Sequence, residues 1–277
     1  MYTLCDFGDG RRLERFGPLL LDRPCPAAER IKKRTPGDWN SADAVFHKEQ
    51  KNGRWEMKTD RGRCLFDPWL VDFGTLTLEL RGTPFGHVGV FPEQTENWDR
   101  LRTALGKAAR QRSTPIRVLN LFAYTGGSTL AAASAAKDIE VVHVDAARNL
   151  LGWAKRNAEL NGLSDANIRW IAEDVRKFVR RELKRNNRYN AVILDPPSYG
   201  HGPGGEVWKL TEHLPDLLDD LLRLIATDPL FLLLTAHTPN IDLEAMFPDG
   251  VKTTKTAMFI QAETGERLPT GEAVFVS

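Results

Sequence analysis

From about residue 95 onward the chain alternates short apolar runs with amphipathic segments, and that alternation restricts the fold more than any other feature. Trp98, Leu101, Leu105 and Ala109 recur at helical spacing and predict a leading helix. Beyond it, 116–122, 140–144, 168–172, 191–194 and 230–235 read as buried strands, and 128–136, 148–161, 175–184 and 211–226 as the helices between or after them. A helix between consecutive strands forces them parallel, and strands covered on both faces carry near-continuous apolar side chains. The expected architecture is therefore α/β, a doubly wound and mostly parallel sheet. Segments 253–261 and 272–276 flank Thr264-Gly265 and Pro269-Thr270-Gly271 with no helix between them. They predict an antiparallel hairpin that closes one edge and brings the sheet to seven strands.

Residues 1–90 read differently. Segments 54–58, 70–73 and 76–80 are strand-like and separated by Gly53, Gly62, Gly74 and Gly82, which predicts a small, mainly β domain ahead of a catalytic domain over 91–277. A length of 277 residues accommodates both. The longest apolar run, 230–234, falls far short of a membrane span, and the charged first twenty residues leave no signal-peptide core. Cys5, Cys25 and Cys64 are scattered, with no Cys-x-x-Cys and no paired histidines nearby. That excludes a disulfide framework, argues against a metal site and fits a reducing cytoplasm. A net charge of +1 is silent on nucleic acid, although residues 1–112 hold 20 Lys and Arg against 16 Asp and Glu, a slight lean toward an anionic partner. A homodimer is left open.

In such sheets ligands lie beyond the carboxyl ends of the strands. The first strand ends in Asn120-Leu121-Phe122-Ala123-Tyr124-Thr125-Gly126-Gly127-Ser128. Gly126 and Gly127 let backbone N–H groups approach a ligand, and the following helix adds partial positive charge. This is neither the G-x-G-x-x-G dinucleotide fingerprint nor a phosphate loop. Asp145, with Ala146 after it, ends the second strand where an acid hydrogen-bonds ribose hydroxyls. Asp174, followed by Val175, ends the third, where it either accepts from an adenine amino group or caps the next helix. Acids at successive strand ends beside a glycine turn describe a nucleoside-bearing cofactor.

Asp195-Pro196-Pro197-Ser198-Tyr199 ends the fourth strand. Two prolines leave the strand rigidly, and their carbonyls with the Asp195 carboxylate form an acceptor-rich rim. Such a rim suits an amino or N–H group held in line with a methyl sulfonium. Tyr199 offers a flat face on which a base can stack.

The 120–127 turn, Asp145, the 153–163 stretch and Asp195 to Tyr199 resemble the class I S-adenosylmethionine-dependent methyltransferases related to the large-subunit ribosomal RNA cytosine-C5 methyltransferases. Phe91-Pro92-Glu93-Gln94 resembles that group's Phe-x-x-Gln segment near the methionine end of the cofactor. The resemblance implies a Rossmann-like sheet binding S-adenosyl-L-methionine, with Gln94, Tyr124, Thr125, Gly126 and Gly127 about the methionine part. It places Asp145 and Ala146 at the ribose, Asp174 and Val175 at the adenine, and Asp195 between cofactor and target. RNA, ribosomal RNA above all, is the implied partner. Carbon-5 chemistry needs a thiolate, and family members performing it carry a cysteine after the fifth strand. This chain has Thr235-Ala236-His237-Thr238 there, so direct transfer to nitrogen or oxygen is expected.

Catalytic candidates are therefore Asp195, Pro196, Pro197 and Tyr199, with His201 as a proton acceptor and His237 either reaching the acceptor or serving as a hydrogen-bonded structural histidine. His201 and Glu206 sit in a Gly-rich stretch that reads as a mobile loop, either closing over substrate or carrying incidental polar residues. Trp208 either stacks on RNA or anchors the next helix. The basic residues from Arg176 to Arg188 read as a solvated helix face. Other readings keep the fold but change the acceptor to a protein side chain or small molecule, or substitute a nucleotide-dependent oxidoreductase or a non-catalytic cofactor-binding protein.

Overall fold

The computed structural model describes residues 1–49, 52–202, 204–239 and 241–276. The chain divides into two compact units, Met1–Thr95 with Phe259–Thr270, and Glu96–Met258 with Gly271–Ser277.

In the first unit, β1 (Tyr2–Gly8), β2 (Arg11–Phe16), β3 (Leu19–Pro24), β4 (Ala44–Glu49) and β5 (Asn52–Met57) form a sheet in chain order. Only β3 and β4 run parallel among its described pairs. β6 (Trp69–Phe73) and β7 (Leu76–Leu80) form a separate hairpin. Part of the apolar core comes from the far end of the sequence. Leu4, Phe7, Cys25 and Ala28 pack with Ile260, Ala262 and Leu268. Burying such side chains is worth about 1.5–3 kcal/mol for each large one.

The second unit is built around α1 (Thr95–Ala109), β8 (Ile116–Leu121), α2 (Gly127–Ala133), β9 (Ile139–Asp145), α3 (Arg148–Leu160), β10 (Ile168–Ala172), α4 (Val175–Lys184) and β11 (Ala191–Leu194). A short hairpin follows, β12 (Tyr199–His201) and β13 (Val207–Lys209), then α5 (Leu210–Leu224), β14 (Phe231–Ala236), β15 (Thr253–Gln261) and β16 (Arg267–Val276). The seven-stranded sheet runs β10-β9-β8-β11-β14-β16-β15. β10, β9, β8, β11 and β14 run parallel to one another, and β16 is antiparallel to β14. Strand order reverses between β8 and β11, which opens a crevice beyond their carboxyl ends.

The central strands β11 and β14 are buried along their whole length, as a helix-covered parallel sheet requires, whereas the edge strand β10 is only half-buried. On one face Leu119, Leu121, Val192 and Leu194 pack with Phe178, Leu214 and Leu218. On the other, Val118, Ile193 and Leu233 meet Leu101, Leu105 and Ala132. A polar chain threads this core. Asn120 Nδ2 donates to Thr129 Oγ1 at 2.8 Å, and Thr129 Oγ1 lies 2.9 Å from His143 Nδ1. Among the described residues no helix is long and apolar enough to cross a membrane.

Candidate active site at the strand ends

The loop after β8 is bent by three left-handed residues, Phe122 (φ 55°), Tyr124 (φ 51°) and Gly126 (φ 95°). Left-handed backbone is unfavourable for residues with a Cβ and persists only where the surroundings enforce it. Asp145, at the end of the neighbouring β9, supplies that enforcement. One carboxylate oxygen accepts from the Tyr124 N–H and the other from the Ala147 N–H, each at 2.9 Å. Partial burial raises the Asp145 pKa against the pull of those two donors. The carboxylate thus ties the β8 loop to the start of α3. Asn157 on α3 adds a second tie, donating to the Thr125 carbonyl at 3.0 Å.

The two glycines have different reasons. Gly126 needs its left-handed φ, and a Cβ there would sit 3.3 Å from Ala154 Cβ. Gly127 has an ordinary φ but packs under Trp98, whose ring a Cβ would meet at 2.3 Å. Its missing side chain admits the indole.

Asp174 caps α4, accepting from the Lys177 N–H at 3.1 Å, and its other oxygen lies 3.6 Å from Arg176 Nη2. The helix-cap alternative is therefore realised. Val175 points into the apolar core, so only its backbone borders the strand ends. Ala146 is half-buried in the turn after β9. Gln94 lies buried in the short helical turn Pro92–Gln94 of the first unit, its N–H bonded to the Phe91 carbonyl.

Asp195, just past β11, faces the end of β14. Thr235 Oγ1 donates to Asp195 Oδ1 at 2.7 Å, and His237 Nε2 stands 3.3 Å from the same oxygen. Sequence reasoning found Asp195 and His237 but missed Thr235, a buried hydroxyl whose partner lies 40 residues away. The strand pairing that joins them was readable only as topology.

The acceptor rim is narrower than the sequence suggests. The Pro197 carbonyl accepts from Trp208 Nε1 at 2.7 Å, and the Ser198 carbonyl from the Leu210 N–H at 3.0 Å. Trp208 is buried against Phe122, with ring centroids 4.8 Å apart, which makes it an anchor and not a stacking platform. Pro196 is buried beneath the exposed Pro197.

The stretch read as a mobile loop contains an antiparallel hairpin, with Tyr199 opposite Lys209 and His201 opposite Val207. Strands of three residues are too short for periodicity to reveal. Glu206 pairs with Lys177 and also accepts from the Gly204 N–H, which lowers its pKa to about 2. It is a tether for the hairpin and no longer a candidate base. Arg176 adds a second tether by donating to the Val207 carbonyl at 3.0 Å. The first cations of α4 thus hold the hairpin instead of facing only solvent. Tyr199 is 56% exposed, with the His201 ring edge-on at 5.1 Å.

Residues 95–264 match the family of S-adenosylmethionine-dependent methyltransferases. The crystal structure of the SAM-dependent methyltransferase from Agrobacterium tumefaciens is 35% identical, with a TM-score of 0.89 over 100% of this chain and 90% of that one. Ribosomal RNA large subunit methyltransferase I of Aeromonas hydrophila is 40% identical over 94 residues, 34% of this chain and 23% of that protein. Ribosomal RNA large subunit methyltransferase K of Neisseria meningitidis is 32% identical over 114 residues, 40% of this chain and 32% of that protein. The match thus spans about a quarter to a third of the length of these curated relatives.

Proposed function

This chain belongs to the S-adenosylmethionine-dependent methyltransferase family, and we propose that it methylates a base of RNA, ribosomal RNA above all, by direct transfer to a nitrogen or oxygen atom. The observation that carries this reading is the Asp195 carboxylate, held by Thr235 and His237 where the strand order reverses. The bound cofactor supplies an electrophilic methyl group. The donor set suits it: Asp145 is a carboxylate acceptor for vicinal hydroxyls, and the Tyr124 to Gly127 turn offers backbone donors at a helix start. In this reading the second oxygen of Asp174, shared with Arg176 at 3.6 Å, accepts from the adenine amino group.

In this reading Asp195 orients the acceptor's amino or N–H group, Tyr199 stacks on the base, and His237 takes the proton released on transfer. Positioning does most of the catalysis, since a well-aligned pair of reactants needs little further activation. Ribosomal RNA is favoured because the curated relatives methylate it, as their names state. Covalent carbon-5 chemistry is disfavoured by the cysteines. All three lie in residues 1–95, burial pushes the Cys5 thiol up to about 11, and Cys25 is also raised by burial. A nucleophilic thiolate needs the opposite shift.

Incubation with labelled S-adenosylmethionine and total RNA from a strain lacking this protein, followed by nucleoside mass spectrometry, tests the reading. The expected product is a methylated nucleoside other than 5-methylcytosine, lost in Asp195→Ala while S-adenosylhomocysteine binding persists. 5-Methylcytosine as the product, or full activity in Asp195→Ala, would overturn it.

A further inference from the structure

The first unit contains a cavity of about 330 Å³ walled by Arg12, Arg23, Phe46, Lys48, Phe85 and His87. Three cations line it and, among the described residues, no acid does. Arg12 on β2 sits directly opposite Arg23 on β3. Like charges opposed across a strand pair destabilise a sheet, so this placement does not serve folding by itself. It is made tolerable by Glu14, two residues along β2 on the same face, which accepts from Arg23 Nε at 2.8 Å and lies 3.1 Å from Arg12 Nε. Glu93 also acts on Arg12 and helps keep the guanidinium charged despite its burial. His87 stands exposed on the rim, its ring edge-on to Phe91 at 5.2 Å.

The rim is aromatic and rigid. Phe85 is 64% exposed at the tip of a turn in which the Thr83 N–H bonds to the His87 carbonyl and the Gly86 N–H to the Thr83 carbonyl. Arg23 Nη1 donates to the Gly86 carbonyl at 3.0 Å, so one of the basic walls also fixes the turn that presents the ring. Trp55 Nε1 pins the same turn through the Thr83 carbonyl at 2.9 Å. A cationic cavity with a fixed, exposed ring at its mouth matches the two halves of a nucleotide. Phosphate meets the guanidinium and ammonium groups, and a base has a face on which to stack. The volume lies at the lower end of the roughly 300–1,000 Å³ usual for ligand sites.

We infer that this cavity holds one nucleotide of a single-stranded segment of the RNA substrate, its phosphate toward Arg12, Arg23 and Lys48 and its base on Phe85. The inference rests on the RNA reading given above. Lys48 and Phe85 are exposed side chains whose truncation leaves the Glu14 network intact, and neither belongs to the methyl-transfer site.

The test uses the full chain and a fluorescein-labelled single-stranded RNA 20-mer, read by anisotropy across a salt series, beside methyl transfer to total RNA. Phe85→Ala is expected to weaken binding roughly ten-fold. Lys48→Ala is expected to reduce the slope of log affinity against log salt by about 0.7, the single-strand value for one lost phosphate contact. If the wild type methylates RNA and both variants bind the oligomer unchanged, the cavity assignment is wrong and the RNA reading stands. If the wild type methylates only protein or small molecules, the RNA reading itself fails. If a DNA or heparin oligomer of equal charge is bound as tightly and Phe85→Ala affects none of them, the site is a generic polyanion surface and the assignment is overturned.

Discussion

His143 offers a stringent check on the buried polar chain under the active-site loop. Asn120 Nδ2 donates to Thr129 Oγ1 at 2.8 Å, and that hydroxyl lies 2.9 Å from His143 Nδ1, so the imidazole is held in a buried polar chain with no acidic partner. The ring is fully buried, packs against Trp170 at 4.8 Å, and has its pKa lowered by burial to about 3. An unfolded histidine titrates near 6.5. Between these values the unfolded chain binds more protons than the folded one, so stability is full above about pH 6.5 and falls as pH drops. From pH 7 to pH 5 the single-site linkage relation gives a loss of about 2 kcal/mol, and roughly 1.4 kcal/mol for each further unit down to the folded pKa. The first figure hardly depends on the folded value, provided it lies below about 4. Urea denaturation of the wild type and His143→Asn at pH 7 and pH 5 measures it, because other titrating groups cancel in the difference. His143→Asn should be less stable at pH 7 but lose about 2 kcal/mol less on acidification. An identical pH dependence in the two proteins would show that His143 is not held neutral.

Gly127→Ala places a Cβ 2.3 Å from the Trp98 ring and should cost about 1–3 kcal/mol by overpacking, seen as a lower melting temperature. A neutral outcome would mean that the Trp98 ring can move aside cheaply. Thr235→Val removes the 2.7 Å donor to Asp195, and the expected result is a roughly ten-fold drop in kcat, a loss of about 1–1.5 kcal/mol, with calorimetric S-adenosylhomocysteine affinity unchanged. Equal loss of both would move Thr235 from acceptor positioning to cofactor binding. Asp145→Ala strips the acceptor from the Tyr124 and Ala147 N–H groups and should lower stability by about 1–3 kcal/mol while reducing S-adenosylhomocysteine affinity at least ten-fold. Wild-type affinity in calorimetry would remove Asp145 from the cofactor site.

The sheet was legible because parallel strands buried on both faces must be apolar along their length, as Ala191 to Leu194 and Phe231 to Ala236 are. The acids at the strand ends were legible for the same reason, since a charged residue that ends such a run stands where the sheet stops. Side-chain partners were not. Nothing in the spacing says that Asp145 spends one oxygen on the Tyr124 N–H, or that Trp208 reaches back to Pro197. The β12–β13 hairpin escaped because Gly200 and Gly202 read as loop, whereas tethering by Lys177 and Arg176 from another element gives the segment its structure. In the first unit, β2 and β3 hide behind alternating charges that are themselves buried and paired, Glu14 and Arg23 among them.

The makeup of the first unit has a consequence for how the protein comes into being. The N-terminal 95 residues lack part of their own core until 259–270 arrive, because Leu4 and Phe7 pack with Ile260, Ala262 and Leu268, and Arg34 pairs with Glu266. Chains are synthesised from the N-terminus at roughly 5–20 residues per second. On a ribosome residues 1–95 therefore wait about ten seconds or more for the complementary strands at 259–270. During that interval the apolar side chains of β1 are uncovered, a window in which a chaperone can bind or two nascent chains can adhere. A product truncated between residues 95 and 259 therefore carries an unfinished core in the first unit, open to proteolysis.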